Sequence, residues 1–260
     1  MTTTRPFRWE SACQTHTGMV RQINEDACLM LPHAGLWLVA DGMGGHAAGD
    51  LASRIAVEAL RDIPPPASLG AFVDEVRRRL EAANTRLLQE AARLAKPTIG
   101  ATVAVLLAYR NHGVCLWAGD SRIYLYRDRR LRQLTRDHSQ VEEMVAEGIL
   151  SREQAENHPA ANIVTRALGG ADELELDTGI HELRDNDVFL LCSDGLYKEL
   201  GDTDIAPLLE GKDIRQTARD LVDLTLHRGA RDNVTVVVVR ILMTQPPGAA
   251  SPGPATMTNG

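Results

Sequence analysis

Residues 36–50 read LWLVADGMGGHAAGD. The apolar stretch 36–40 ends on a carboxylate, Asp41, and Gly42, Met43, Gly44, Gly45 and His46 follow at once. A short apolar run bounded by a glycine-rich turn predicts a buried strand. Glycines just beyond a strand end let backbone approach a ligand closely. The strand therefore fixes where one carboxylate sits, and the rest of the chain decides what that carboxylate holds.

Further apolar, β-branched runs predict strands at 101–108, 113–117, 122–126, 188–192 and 233–241, with a weaker one at 8–14. Helical spacing of Leu51, Ile55, Ala59 and Leu60 marks a helix starting at Asp50 and ended by Pro64–Pro66. A longer helix runs from about Leu69 to Leu94, with Phe72, Val76, Leu80, Leu87, Ala91 and Leu94 on one face. Shorter helices are expected at 140–147, 151–157 and 213–227. The runs at 101–108, 113–117 and 122–126 are joined by links too short for the crossover a parallel pair needs. Antiparallel sheets covered by helices follow, an α+β layer architecture.

The 260 residues are 44% hydrophobic and 24% charged, enough for a sizeable core, with a formal net charge of −7. That balance gives no basic footprint for nucleic acid. No apolar run approaches the ~20 residues of a membrane span, and residues 1–10, MTTTRPFRWE, carry no secretory signal. Cys13, Cys28, Cys115 and Cys192 form no CxxC pair, so the expectation is a reduced, cytoplasmic, monomeric protein. Residues 244–260, TQPPGAASPGPATMTNG, are rich in Pro, Gly, Ala and Ser and read as a disordered tail behind one domain, 1–243.

Asp41 has company. Asp120 follows VCLWAG, Asp194 follows VFLLCS, and Asp232 stands just before the last long apolar run. One aspartate at a strand end is ordinarily a turn residue. Four of them, in a chain without a cysteine or histidine cluster, make an oxygen-only donor set of the kind Mg²⁺ and Mn²⁺ prefer. Two such ions ~3.5–4 Å apart can orient and activate a water for in-line attack at phosphorus. Arg21, with Asn24, Glu25 and Asp26 close behind it, supplies a planar fork suited to two phosphate oxygens.

RQINED at 21–26, DGMGGH at 41–46, GATVAVLL at 100–107, AGDSR at 118–122, LTRDHS at 134–139, VTRALG at 164–169, LCSDGL at 191–196 and DNVTVVVV at 232–239 occur in this order. The series resembles that of the metal-dependent protein phosphatases of type 2C in their compact bacterial form. The resemblance implies a four-layer sandwich of two antiparallel β-sheets flanked by helices, with two Mn²⁺ or Mg²⁺ ions in a cleft at one end. It implies that Asp41 bridges the ions, that the Gly42 carbonyl binds one, and that Asp194 and Asp232 bind the other. Glu25 and Asp26 would act through bound waters, and Arg21 would clamp the phosphate. Asp120 and Asp194 would share a possible third, weaker ion, and 139–165 would form a mobile flap. The animal members carry a histidine directly after the Asp-Gly pair; here Met43 stands there, and His46 is the candidate general acid. The implied substrates are proteins phosphorylated on serine or threonine by a Ser/Thr kinase.

Rival chemistries lack their residues. No cysteine is followed at the sixth position by arginine, and no GxxxxGK[ST] loop is present. Asp202 and Asp204, spaced like an aspartyl nucleophile motif, follow LYKELG and not an apolar strand. The alternative function is a non-catalytic binding module of the same fold. Such a relative should have lost metal-binding carboxylates, whereas Asp41, Asp194 and Asp232 are all present.

The tail reading has a direct consequence. Deleting 244–260 is expected to leave turnover and melting temperature unchanged, because this segment has no apolar periodicity to dock. A fall of several degrees on truncation contradicts it.

Overall fold

The structure is a computed structural model that describes residues 7–44, 48–156, 158–210 and 213–244. The N-terminal half runs β1 (Phe7–His16), β2 (Asp26–Leu31), β3 (Leu36–Met43), α1 (Ala48–Arg61), α2 (Leu69–Arg93), β4 (Gly100–Tyr109), β5 (His112–Ala118), β6 (Arg122–Arg127) and β7 (Arg130–Gln133). The remainder runs α3 (Gln140–Ala146), α4 (Arg152–Glu156), β8 (Asp177–Glu182), β9 (Val188–Cys192), α5 (Asp194–Tyr197), α6 (Asp202–Leu209), α7 (Ile214–Arg228) and β10 (Val234–Met243).

The strands form two five-stranded sheets, β1-β10-β9-β6-β7 and β2-β3-β4-β5-β8. Every paired neighbour is antiparallel. Successive side chains on a strand point to opposite faces, and here both faces of the central strands are dry. In β3, Leu36, Leu38 and Ala40 pack with α1 and α2, while Trp37 and Val39 enter the core between the sheets. In β10, Val236 and Val238 pack under α7, while Val237 and Val239 meet Trp37 and Val39 in that central core. Helices, sheet, sheet, helices: this is the four-layer α+β sandwich that the sequence leads one to expect. It also explains why 36–40 and 236–239 are continuously apolar and do not alternate.

Three strands were not anticipated, β2, β7 and β8, and each lies at a sheet edge. β7 is RLRQ and β8 is DTGIHE, each with solvent on one side, so neither carries a continuous apolar run. The short helices α5 and α6 were also missed; the run following Asp194 is too brief to show a period.

The cysteine expectation needs correction. Cys13 on β1 and Cys28 on β2 are joined by a disulfide, while Cys115 and Cys192 are free and buried as small apolar residues. No motif spacing announces the bridge, because its partners sit on strands of different sheets that only the folded sandwich brings together.

The polar segment 139–165 leaves the sandwich and returns to the same place. Gln140 N–H donates to the Ile163 carbonyl and Thr165 N–H to the His138 carbonyl, each at 2.9 Å. His138 N–H in turn donates to the Gly119 carbonyl at 2.9 Å, which tethers the excursion to the turn after β5.

The central core should dominate stability. Phe189 is fully buried between the sheets and Ile180 is 64% exposed. Phe189→Ala is expected to cost about 3–5 kcal/mol and Ile180→Ala less than about 0.5 kcal/mol in denaturant unfolding.

Candidate metal centre

The strand ends carry the carboxylates to one end of the sandwich. In the β2–β3 ladder Asp26 lies directly opposite Asp41, and in the β3–β4 ladder Asp41 lies opposite Thr102. Asp194 opens α5 immediately after β9, and Asp232 precedes β10, the strand paired with β9. Ser193 stitches the two sheets together there. Its hydroxyl donates to Asp26 Oδ2 at 2.7 Å and accepts from Thr235 N–H at 3.0 Å.

A second set of polar side chains holds the carboxylate-bearing loops. Thr102 Oγ1 accepts from Asp41 N–H at 3.3 Å and shares a hydrogen bond with Ser121 Oγ at 2.6 Å, linking the end of β3 to the Asp120 turn. The His138 ring accepts from Gly119 N–H at 3.1 Å, pairs with Asp177 at 3.2 Å and stacks on Trp117. Tyr197 Oη donates to the Asp120 carbonyl at 3.1 Å, and the Arg122 guanidinium lies 3.5 Å from the Tyr197 ring centroid while bonding Asp137. Asn233 organises the arginine loop. Its Nδ2 donates to the carbonyls of Thr17 at 2.8 Å and Ile23 at 2.9 Å, and its Oδ1 accepts from Glu25 N–H at 2.8 Å.

The electrostatics are unfavourable by construction. Asp26 is 8% exposed and Asp120 5%. Burial pushes the Asp26 carboxyl up to about 7, with Asp194 and Asp232 adding to the rise against the hydrogen bonds from Ser193 and Thr235. Burial and then Asp194 push Asp120 up to about 7. Asp41 rises well above the usual carboxylate range through burial and the charges of Asp26, Asp194, Asp120 and Asp232. Asp26 Oδ1 is buried and accepts no hydrogen bond from the protein. An orphaned carboxylate oxygen amid like charges is costly unless a cation or ordered water meets it. The donors are all oxygen, so the set fits a hard divalent cation. Among the described residues, no three such side chains are already closed around one point. Two of the carboxylates are held by the chain's own cations instead, Asp232 by Arg21 Nη2 at 2.7 Å and Asp194 by Lys198 Nζ at 2.5 Å.

Asp26, Asp41, Asp120, Asp194 and Asp232 thus gather at the end shared by both sheets, with Arg21 on Asp232. Glu25 sits beside them in a place the sequence does not announce, its Oε1 accepting from Gly49 N–H at 3.1 Å at the start of α1. Gly42 has a steric reason to be glycine. A Cβ there would overlap the carbonyl oxygens of Gly49 and Glu25, and Gly42 N–H donates to that Glu25 oxygen at 3.1 Å. His46 lies outside the described residues. Thr102, Ser121, His138, Ser193, Tyr197, Lys198 and Asn233 were missed. Ser193 and Asn233 each adjoin a named aspartate, and Thr102 is the one polar side chain in GATVAVLL; that was the available signal.

Asn233 offers a test of the supporting layer. Asn233→Ala leaves two carbonyls and one N–H without their partner, and should cost about 2–4 kcal/mol of stability. Hydrogen exchange is expected to rise across 17–25 more than in β3; uniform exchange with unchanged stability contradicts the assigned role.

Known proteins supply the family. Residues 14–227 match the family model Protein phosphatase 2C. Serine/threonine protein phosphatase PstP of Mycobacterium tuberculosis is 35% identical over 234 residues, which cover 89% of this chain and 45% of PstP. The chain therefore spans less than half the length of that relative. PppA, a key regulatory component of T6SS in Pseudomonas aeruginosa, has a similar structure with a TM-score of 0.85 at 46% identity, covering 90% of this chain and 98% of PppA. The catalytic domain of PstP in complex with two manganese ions gives a TM-score of 0.82 at 33% identity, covering 91% of this chain and 99% of that domain. With the model match covering most of its length, the chain belongs to the protein phosphatase 2C family.

Proposed function

We propose that this chain hydrolyses phosphoserine and phosphothreonine in proteins with two bound Mn²⁺ or Mg²⁺ ions. The observation that carries the reading is that Asp26, Asp120, Asp194 and Asp232 all bear electrostatically on Asp41 at one end of the two sheets, where the buried Asp26 Oδ1 accepts no hydrogen bond from the protein. The two manganese ions in the PstP catalytic domain support it. Asp41, the Gly42 carbonyl, Asp194 and Asp232 would hold the ions, with Asp41 shared between them. Bound ions supply Lewis acidity, neutralising phosphate charge and acidifying a water for attack at phosphorus. Asp26 Oδ1 and the Glu25 carboxylate accept hydrogen bonds from ordered water and orient it. Arg21, more than half exposed, exchanges Asp232 for the substrate phosphate, where its fork takes two oxygens. His46, the histidine nearest Asp41 in sequence, protonates the leaving serine or threonine oxygen.

A third, weaker ion would have only Asp120 and Asp194 as protein ligands. The catalytic unit is 1–243, and 139–165 acts as its flap, tied to the sandwich by the His138–Gly119 hydrogen bond. The substrates are phosphoproteins made by a Ser/Thr kinase. No helix among the described residues is long and apolar enough to cross a membrane.

The test is turnover of a phosphothreonine peptide with Mn²⁺, with chelator, and with Asp41→Asn. Chelator should abolish activity and Asp41→Asn should lower kcat by orders of magnitude. Full turnover in excess chelator overturns the reading.

A further inference from the structure

Lys198 is the cation the sequence reading did not weigh. Asp194 opens the single turn of α5 and Lys198 caps it, so the i,i+4 spacing brings the lysine back over the aspartate. Nζ lies 2.5 Å from Asp194 Oδ2, with the Lys198 side chain 32% exposed and the Asp194 side chain 14%. The preceding residue locks this turn onto the neighbouring loop, because Tyr197 Oη donates to the Asp120 carbonyl. Lys198 is therefore bound to Asp194 and directly follows the residue that holds the Asp120 turn.

Among the described residues, the neighbouring arginines are already paired. Arg122, the other basic residue near Tyr197, spends Nε and Nη2 on Asp137 and Nη1 on Tyr124. Arg21 is committed to Asp232. Burial works against the Lys198 charge, but Asp194, Asp120 and Asp41 outweigh it and hold the ammonium above its ordinary value. In return Lys198 lowers Asp120 against the upward push of burial and Asp194.

We propose that the Lys198 ammonium is a fixed cation between Asp194 and Asp120, taking the place of a third divalent ion, so that this chain works with two ions. A divalent ion there would have to displace Nζ from Asp194 Oδ2 or sit within a few ångströms of a like charge. An ammonium on a covalent tether neutralises the two carboxylates without depending on metal concentration, and its N–H groups donate where an ion would accept. The inference rests on the two-ion reading above, and its test counts ions directly.

Manganese titration calorimetry, with thermal melts to verify folding, compares wild type, Lys198→Gln, Lys198→Arg and the double variant Lys198→Gln/Asp120→Asn. Wild type and Lys198→Arg are expected to bind two ions. Lys198→Gln should bind the same two and gain a third, weaker one, which the double variant loses. Mn²⁺ activation should follow, with a single saturating phase in wild type and an added phase at higher concentration in Lys198→Gln. A third ion in wild type, or a Lys198→Gln isotherm identical to wild type, overturns the proposal while leaving the two-ion function standing. Failure of wild type to bind two ions overturns both.

Discussion

Five aspartates at one end of a β-sandwich repel one another, and the architecture of this molecule is arranged to hold them there regardless. Burial and mutual charge raise Asp26, Asp41 and Asp120 out of the ordinary carboxylate range. Nothing in packing favours such a cluster. It is stabilised by the apolar volume elsewhere, three cores stacked through four layers. A site that is unfavourable alone and favourable with cations stores its binding energy in the fold, and the cation recovers it.

Rigidity comes from the sheet ladders and direction from a few hydroxyl and amide groups. Asp26 and Asp41 cannot drift apart, because they are paired residues of adjacent strands. Asp120 and Asp194 stand on turns, and turns need tethers: Ser121 to Thr102, Gly119 to His138, Tyr197 to the Asp120 carbonyl. Asn233 does the same for the loop bearing Arg21. The segment 139–165 hangs from the Gly119 end of this network, which links the excursion to the Asp120 turn.

Much of this was legible in the sequence, and the limits are physical. The central strands were readable because both their faces are buried, which makes 36–40, 103–108, 188–192 and 236–239 continuously apolar. The edge strands β2, β7 and β8 were not, since a strand with one wet face and few residues resembles a loop. Aspartates at apolar strand ends declared the donor set, but their separation in sequence says nothing of register. That Asp26 opposes Asp41, or that Cys13 meets Cys28, follows only from strand pairing and sheet stacking. Lys198 was invisible for another reason. A lysine four residues after an aspartate is ordinarily a solvated helix pair, and nothing in the sequence shows that its neighbour Tyr197 binds the Asp120 turn.

The central claim is that the carboxylate cluster is held against its own repulsion for the sake of cations. The most direct measurement is the melting temperature of wild type and Asp41→Asn at neutral pH, each with and without Mn²⁺. Removing one charge should raise the melting temperature in the presence of chelator, and should shrink the saturable rise that Mn²⁺ gives the wild type. A variant less stable than wild type in chelator, together with a wild type indifferent to Mn²⁺, would contradict the account.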